Sequence, residues 1–146
     1  MRAASASAAL AAATAALAVP LAGCGGRGGD ERPDPEAVIA AATDYARAFG
    51  SGDGDRACEL LTPGARDSLV KRVSSLVGTS DCAEAVQKLQ TLAGPNVTGQ
   101  FRTAKATSPI VTGDKATATL TAGRSATQVT LEKRDDDWLL TRAPGL

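Results

Sequence analysis

The 146-residue chain has the length of a single domain able to bury its own core. Its formal net charge is zero and it has no basic patch and no long like-charge run, so nothing along the chain gives nucleic acid an electrostatic reason to bind. Histidine is absent, which excludes a Ser-His-Asp triad, a Cys-His pair and an H-E-x-x-H zinc site.

Arg2 follows Met1, and Ala3–Val19 is an Ala-dominated apolar run leading to Leu21-Ala22-Gly23-Cys24. A short basic start, an apolar stretch and small residues at the cut describe an export signal. The Leu-Ala-Gly-Cys ending resembles the lipobox of bacterial lipoproteins. That resemblance implies a signal peptide over 1–23, cleavage just before Cys24, and a diacylglyceryl group on the Cys24 sulfur. It places the mature protein on the extracytoplasmic side of the cell membrane, with the membrane as its first partner. A transmembrane anchor is the weaker reading, because an Ala-rich span of this length partitions poorly into lipid.

Residues 24–33 combine Gly with charge and end in Pro33, the composition of a flexible tether. Gly23, Gly25 and Gly28 match G-x-G-x-x-G by accident: no strand precedes them and no helix opens on them.

The folded domain is expected over 34–146. Asp34-Pro35-Glu36 starts a helix, with Asp as cap and Pro at the first position. Val38, Ala42, Tyr45 and Phe49 form its apolar face. Gly50–Gly54 ends it, and Asp55 caps a short helix carrying Ala57, Leu60 and Leu61. Thr62-Pro63-Gly64 is a break. Ala65–Val77 is periodic through Leu69, Val73, Leu76 and Val77, and Cys82–Ala93 through Cys82, Ala85, Val86, Leu89 and Leu92, with a stop and new cap at Gly78-Thr79-Ser80 between them. Gly94-Pro95-Asn96 ends the helical half.

From Val97 the period falls to two. Strands are expected over Phe101–Val111, bent at Pro109, then Lys115–Ala122, Thr127–Arg134 and Trp138–Arg142. Turns fall at Thr112-Gly113-Asp114, Gly123-Arg124-Ser125 and Asp135-Asp136-Asp137. Helices first and an antiparallel meander last give an α+β domain, with the helices on one face of a curved sheet of about four strands.

This order resembles the cone-shaped α+β superfamily named after nuclear transport factor two, and its small exported lipoprotein members in particular. The resemblance is carried by Tyr45-Ala46-Arg47-Ala48-Phe49, by Ala57-Cys58-Glu59-Leu60-Leu61-Thr62-Pro63, by Thr112-Gly113-Asp114-Lys115-Ala116-Thr117, and by Trp138-Leu139-Leu140. It implies a conical pocket with Leu120, Val129, Leu131 and Leu140 near its wall. From the residues alone, these four are the apolar face of the sheet.

With Cys24 taken by lipid, Cys58 and Cys82 remain as an even pair in an oxidising compartment, each on the apolar side of an expected helix. A structural disulfide closing a loop of about 25 residues would stabilise the fold by roughly 3–4 kcal/mol. Redox chemistry is the weaker reading, since no C-x-x-C spacing lowers a thiol pKa.

Few constellations could carry chemistry. Asp44 and Tyr45 are the one neighbouring carboxylate–phenol pair, but adjacent helical residues point apart, leaving a core Tyr and a solvated Asp. Ser68-Leu69-Val70-Lys71 matches the S-x-x-K of penicillin-recognising enzymes without its companion motifs. Asp53-x-Asp55-x-x-x-Glu59 lacks the Gly and third ligand of a calcium loop, and Asp135-Asp136-Asp137 cannot all face one ion. Asn96-Val97-Thr98 fits a glycosylation sequon that bacteria rarely read. No metal or other cofactor is expected, and a non-catalytic role is. Two binding roles stay open, a module for an apolar small ligand or an accessory domain that docks an envelope protein, with a pocket enzyme of the cone-shaped superfamily as the weaker alternative.

Overall fold

A computed structural model describes residues 34–144, so the signal, Cys24 and the tether lie outside the described residues. Four helices are followed by four strands: α1 (Asp34–Ser51), α2 (Gly54–Glu59), α3 (Pro63–Val77), α4 (Cys82–Arg102), β1 (Lys105–Thr112), β2 (Lys115–Ala122), β3 (Ser125–Arg134) and β4 (Asp137–Leu140). The strands form an open antiparallel sheet in the order β1-β2-β3-β4. This is the α+β architecture expected from the switch of period at the middle of the chain.

α1 runs along the sheet and carries the centre of the core. Val38, Ala42, Tyr45 and Ala46 are almost wholly buried, facing Ala106, Ala116, Ala118, Leu120, Val129, Leu131 and Leu140 from the strands. The inward alanines of β1 and β2 leave room for the helix to approach closely, and the branched residues of β2, β3 and β4 fill the rest. Fully burying Leu131 or Leu140 contributes roughly 1.5–3 kcal/mol each. The β4 edge is covered: Leu140 N–H donates to the Leu60 carbonyl at 2.8 Å, and Thr62 N–H to the Leu140 carbonyl at 2.9 Å. That short parallel bridge welds the α2–α3 corner to the sheet and closes one edge against further pairing.

Several boundaries differ from the sequence expectation: α2 ends at Glu59, before Leu60 and Leu61, α3 starts at Pro63, β3 starts at Ser125 and β4 ends at Leu140, and the clearest differences have a local reason. Asp53, rather than Asp55, caps α2, with its Oδ1 accepting from Arg56 N–H at 3.1 Å. Asp81, rather than Ser80, caps α4, accepting from Glu84 N–H at 2.8 Å, while Thr62 caps α3 by accepting from Ala65 N–H at 3.3 Å. The helical half also continues past Gly94. That residue takes φ 77° and ψ 169°, breaking the helix, and Pro95 then opens a second helical piece that runs to Arg102. Pro95 is therefore a start and not only a stop, and β1 begins at Lys105 instead of Phe101. The expected bend at Pro109 is present as a register shift between Thr107 and Ile110, with Ser108 at φ 53°.

Two glycines set how closely the helices pack. A Cβ at Gly50 would stand 2.6 Å from the Arg102 backbone nitrogen and 2.7 Å from the Thr98 carbonyl oxygen. One at Gly54 would collide with the Ala83 carbonyl. The Gly-rich corner between α1 and α2 thus does more than end a helix: it lets both halves of α4 lie against it. Edge-on packing of Phe49 and Phe101, with ring centroids 5.0 Å apart, closes that side of the core.

Candidate functional site

The expected disulfide is present. Cys58, the fifth residue of α2, and Cys82, the first of α4, are bonded across a Cα separation of 6.2 Å. The bond lies beside the Gly54–Ala83 contact, so a covalent link and a close backbone approach hold α2 to the start of α4 at the same place.

The four expected pocket-wall residues are brought together on the inner face of the sheet. Ala116 pairs with Leu131, Ala118 with Val129, and Leu131 with Leu140. Leu120, Val129, Leu131 and Leu140 all belong to the packed core, none more than 4% exposed. None of them lines the surface concavities at the α3–α4 face or beside Asp44 and Arg56. Deep in this core the Tyr45 hydroxyl has no hydrogen-bond partner among the described residues, and burial raises its pKa above the ordinary 10.0. Asp44 points the other way, at the surface, within 4.0 Å of Arg47 and 3.9 Å of Arg56. The two side chains that could have formed an acid–base pair are thus separated by the body of the helix. Ser68 and Lys71 are exposed on α3. Among the described residues no cluster of three or more Cys, Asp or Glu is placed to hold a metal ion, and no helix is long and apolar enough to cross a membrane.

A surface concavity lies elsewhere, between the end of α3 and the face of α4. It encloses about 530 Å³ and is lined by Leu76, Val77, Glu84, Gln87, Lys88, Thr91 and Leu92. Leu76 is 68% exposed and Leu92 62%. The helical period assigned both to core faces, and the structure corrects that. Leu76 stands about two turns beyond Leu69 on the same line of α3, and Leu92 two turns beyond Ala85 on α4. Leu69 and Ala85 are buried. Each apolar stripe continues into the last turn before its glycine break, where Val77 is still buried but Leu76 and Leu92 are left exposed.

The polar rim of this groove is fixed. Lys88 Nζ donates to the Val77 carbonyl at 3.0 Å, satisfying one open acceptor at the end of α3, and pairs with Glu84 at 2.8 Å. Thr79 donates its hydroxyl proton to Glu84 at 2.6 Å. The Lys88 ammonium, and then this hydroxyl, hold the Glu84 carboxyl below the ordinary carboxylate range. The result is two exposed leucines over an ordered polar floor.

Comparison with known proteins adds nothing to this geometry: no family model, no curated protein and no solved structure matches the chain.

Proposed function

We propose that the chain is an exported lipoprotein, held by lipid on Cys24 at the outer face of the cytoplasmic membrane, whose domain works by binding rather than by catalysis. Its partner is an envelope protein that presents an apolar segment to the α3–α4 groove. The observation that carries this reading is the exposure of Leu76 and Leu92 on either side of a groove of about 530 Å³. Large apolar side chains left bare beside a polar rim mark interaction sites, and a helix laid in a groove is a common way of covering them. The Leu21-Ala22-Gly23-Cys24 ending supports the location.

A photo-crosslinking residue at Gln87, in the groove, tests this in cells. One reproducible protein adduct is expected, lost when Leu76→Ser and Leu92→Ser are combined and absent when the probe sits at Thr130 on the sheet. No adduct, or the same adducts from both positions, would overturn the reading.

A second reading keeps one observation in its favour. The resemblance to the cone-shaped superfamily implies an interior ligand, and the unpartnered Tyr45 hydroxyl is the polar group such a ligand would meet. Native mass spectrometry of gently purified protein separates the two: a co-purifying small molecule lost in Tyr45→Phe favours the interior site, and a clean apo mass favours the groove.

A further inference from the structure

The groove between α3 and α4 carries both halves of a contact. It encloses about 530 Å³, and beside that space Leu76 of α3 and Leu92 of α4 stand with most of their surface bare. A surface that offers both a hollow and the apolar side chains to fill one can serve a copy of itself, since a two-fold axis sets the same patch against itself.

The charges of the groove permit that arrangement. Among the described residues the lining holds one carboxylate and one ammonium, Glu84 and Lys88, and they neutralise one another at 2.8 Å. A two-fold axis brings each residue near its own counterpart, so an unbalanced charge would meet its like. Here each copy presents a balanced pair. The polar groups of the floor are also engaged within one copy: Lys88 donates to the Val77 carbonyl at 3.0 Å, Thr79 to Glu84 at 2.6 Å, and the Thr91 hydroxyl to the Gln87 carbonyl at 3.0 Å. The floor therefore favours neither an acidic nor a basic partner. The side-chain amide of Gln87 has donors and an acceptor on one group, so it too can pair with its own kind.

Resting on the reading of the α3–α4 groove as the binding site, we infer that its partner is a second copy of this chain. The two copies dock groove to groove about a two-fold axis, with Leu76 and Leu92 of each in the hollow of the other. The contact is small. Seven residues line the groove, against the roughly 20–30 a side of a standard interface, so the pairing is transient. Lipid anchoring of both copies to one membrane raises their effective concentration and offsets the small area.

The test makes two differently tagged forms of the full chain together in cells, one of them with a photo-crosslinking residue at Gln87. A product joining both tags is expected at the sum of the two masses, and none from a probe at Thr130 on the sheet. Thr91 is exposed in the groove, where a charge would face its own counterpart. Thr91→Lys in both forms, or Thr91→Glu in both, is expected to lower the joined product by about tenfold or more. Thr91→Lys in one form with Thr91→Glu in the other is expected to restore it, which only a self-contact does. Thermal melts show that each variant is folded. Capture of a different protein at Gln87 without any joined product would overturn the second copy as occupant and leave the groove reading standing, whereas no adduct at all would overturn both. A joined product indifferent to the charges at Thr91, or one that the mixed charges fail to restore, would also overturn the proposal.

Discussion

Asp34 and Lys133 stand 99 positions apart in the chain and meet as an ion pair, Lys133 Nζ to Asp34 Oδ1 at 2.8 Å. The same oxygen accepts from Trp138 Nε1 at 3.3 Å, and the Lys133 ammonium lies 5.9 Å from the centroid of the Trp138 ring. The first residue of α1 is thereby fastened to the β3–β4 hairpin. A side chain that the sequence assigns to capping its own helix thus reaches a hairpin about a hundred residues further along the chain.

This contact makes stability depend on pH in a defined way. The Lys133 hydrogen bond, then that of Trp138, holds the Asp34 carboxyl below its ordinary 3.8, and Asp34 holds the Lys133 amine above its ordinary 10.5. A lowered carboxyl contributes stability that is present above its unfolded value and lost as pH falls through the folded one. A raised amine contributes below its unfolded value and loses it as pH rises through the folded one. The melting temperature of the wild type is therefore expected to exceed that of Asp34→Asn by a constant margin from about pH 5 to pH 9, and the margin to close below about pH 4. A margin that does not vary with pH would show the ion pair to be without effect.

Removing the disulfide tests the joint between α2 and α4. The Cys58–Cys82 bond closes a loop with a sequence separation of 24. Cys58→Ala with Cys82→Ala is expected to cost about 3.5 kcal/mol by the loop-entropy argument, read from urea unfolding. Intact mass should rise by two alkylation adducts only after reduction; adducts formed without reductant would contradict the bond.

Gly54→Ala probes the same joint without touching the sulfurs. Its Cβ has no room beside the Ala83 carbonyl, and Gly50→Ala meets the Arg102 and Thr98 backbone in the same manner. Each substitution should destabilise by roughly 1–3 kcal/mol, although alanine favours helix. Gly64 has open space at its Cβ position and should gain stability on the same change, so the pair of outcomes separates packing from propensity.

Tyr45→Phe is expected to leave stability unchanged or raise it by up to about 1 kcal/mol, because it removes a buried hydroxyl that has no partner among the described residues. A loss of more than 1 kcal/mol in urea unfolding would mean that the hydroxyl is satisfied in solution.

The architecture was legible because it is written in periods. Val38, Ala42, Tyr45 and Phe49 declare a helix, and Ala116, Ala118 and Leu120 alternating with Thr117, Thr119 and Thr121 declare a strand. The cysteine pairing was legible because Cys58 and Cys82 both fall on the apolar sides of expected helices. The second piece of α4 was hidden because Gly94-Pro95 reads equally as a stop or as a stop and restart, and tertiary packing of Thr98 and Phe101 decided between them. The groove was hidden because period tells which face is apolar, not which of its residues a neighbour covers: Leu76 and Leu92 keep the phase of the core yet stay exposed, while Val77 beside Leu76 is buried.

The account stands most directly on Cys24. The mass of the mature protein, taken from the membrane fraction of the cells that make it, is expected to correspond to a chain beginning at Cys24 and bearing a diacylglyceryl group. The Cys24→Ser variant should leave that fraction or remain uncleaved. A wild-type chain that begins elsewhere, or one that starts at Cys24 without lipid and is found free of the membrane, would contradict it.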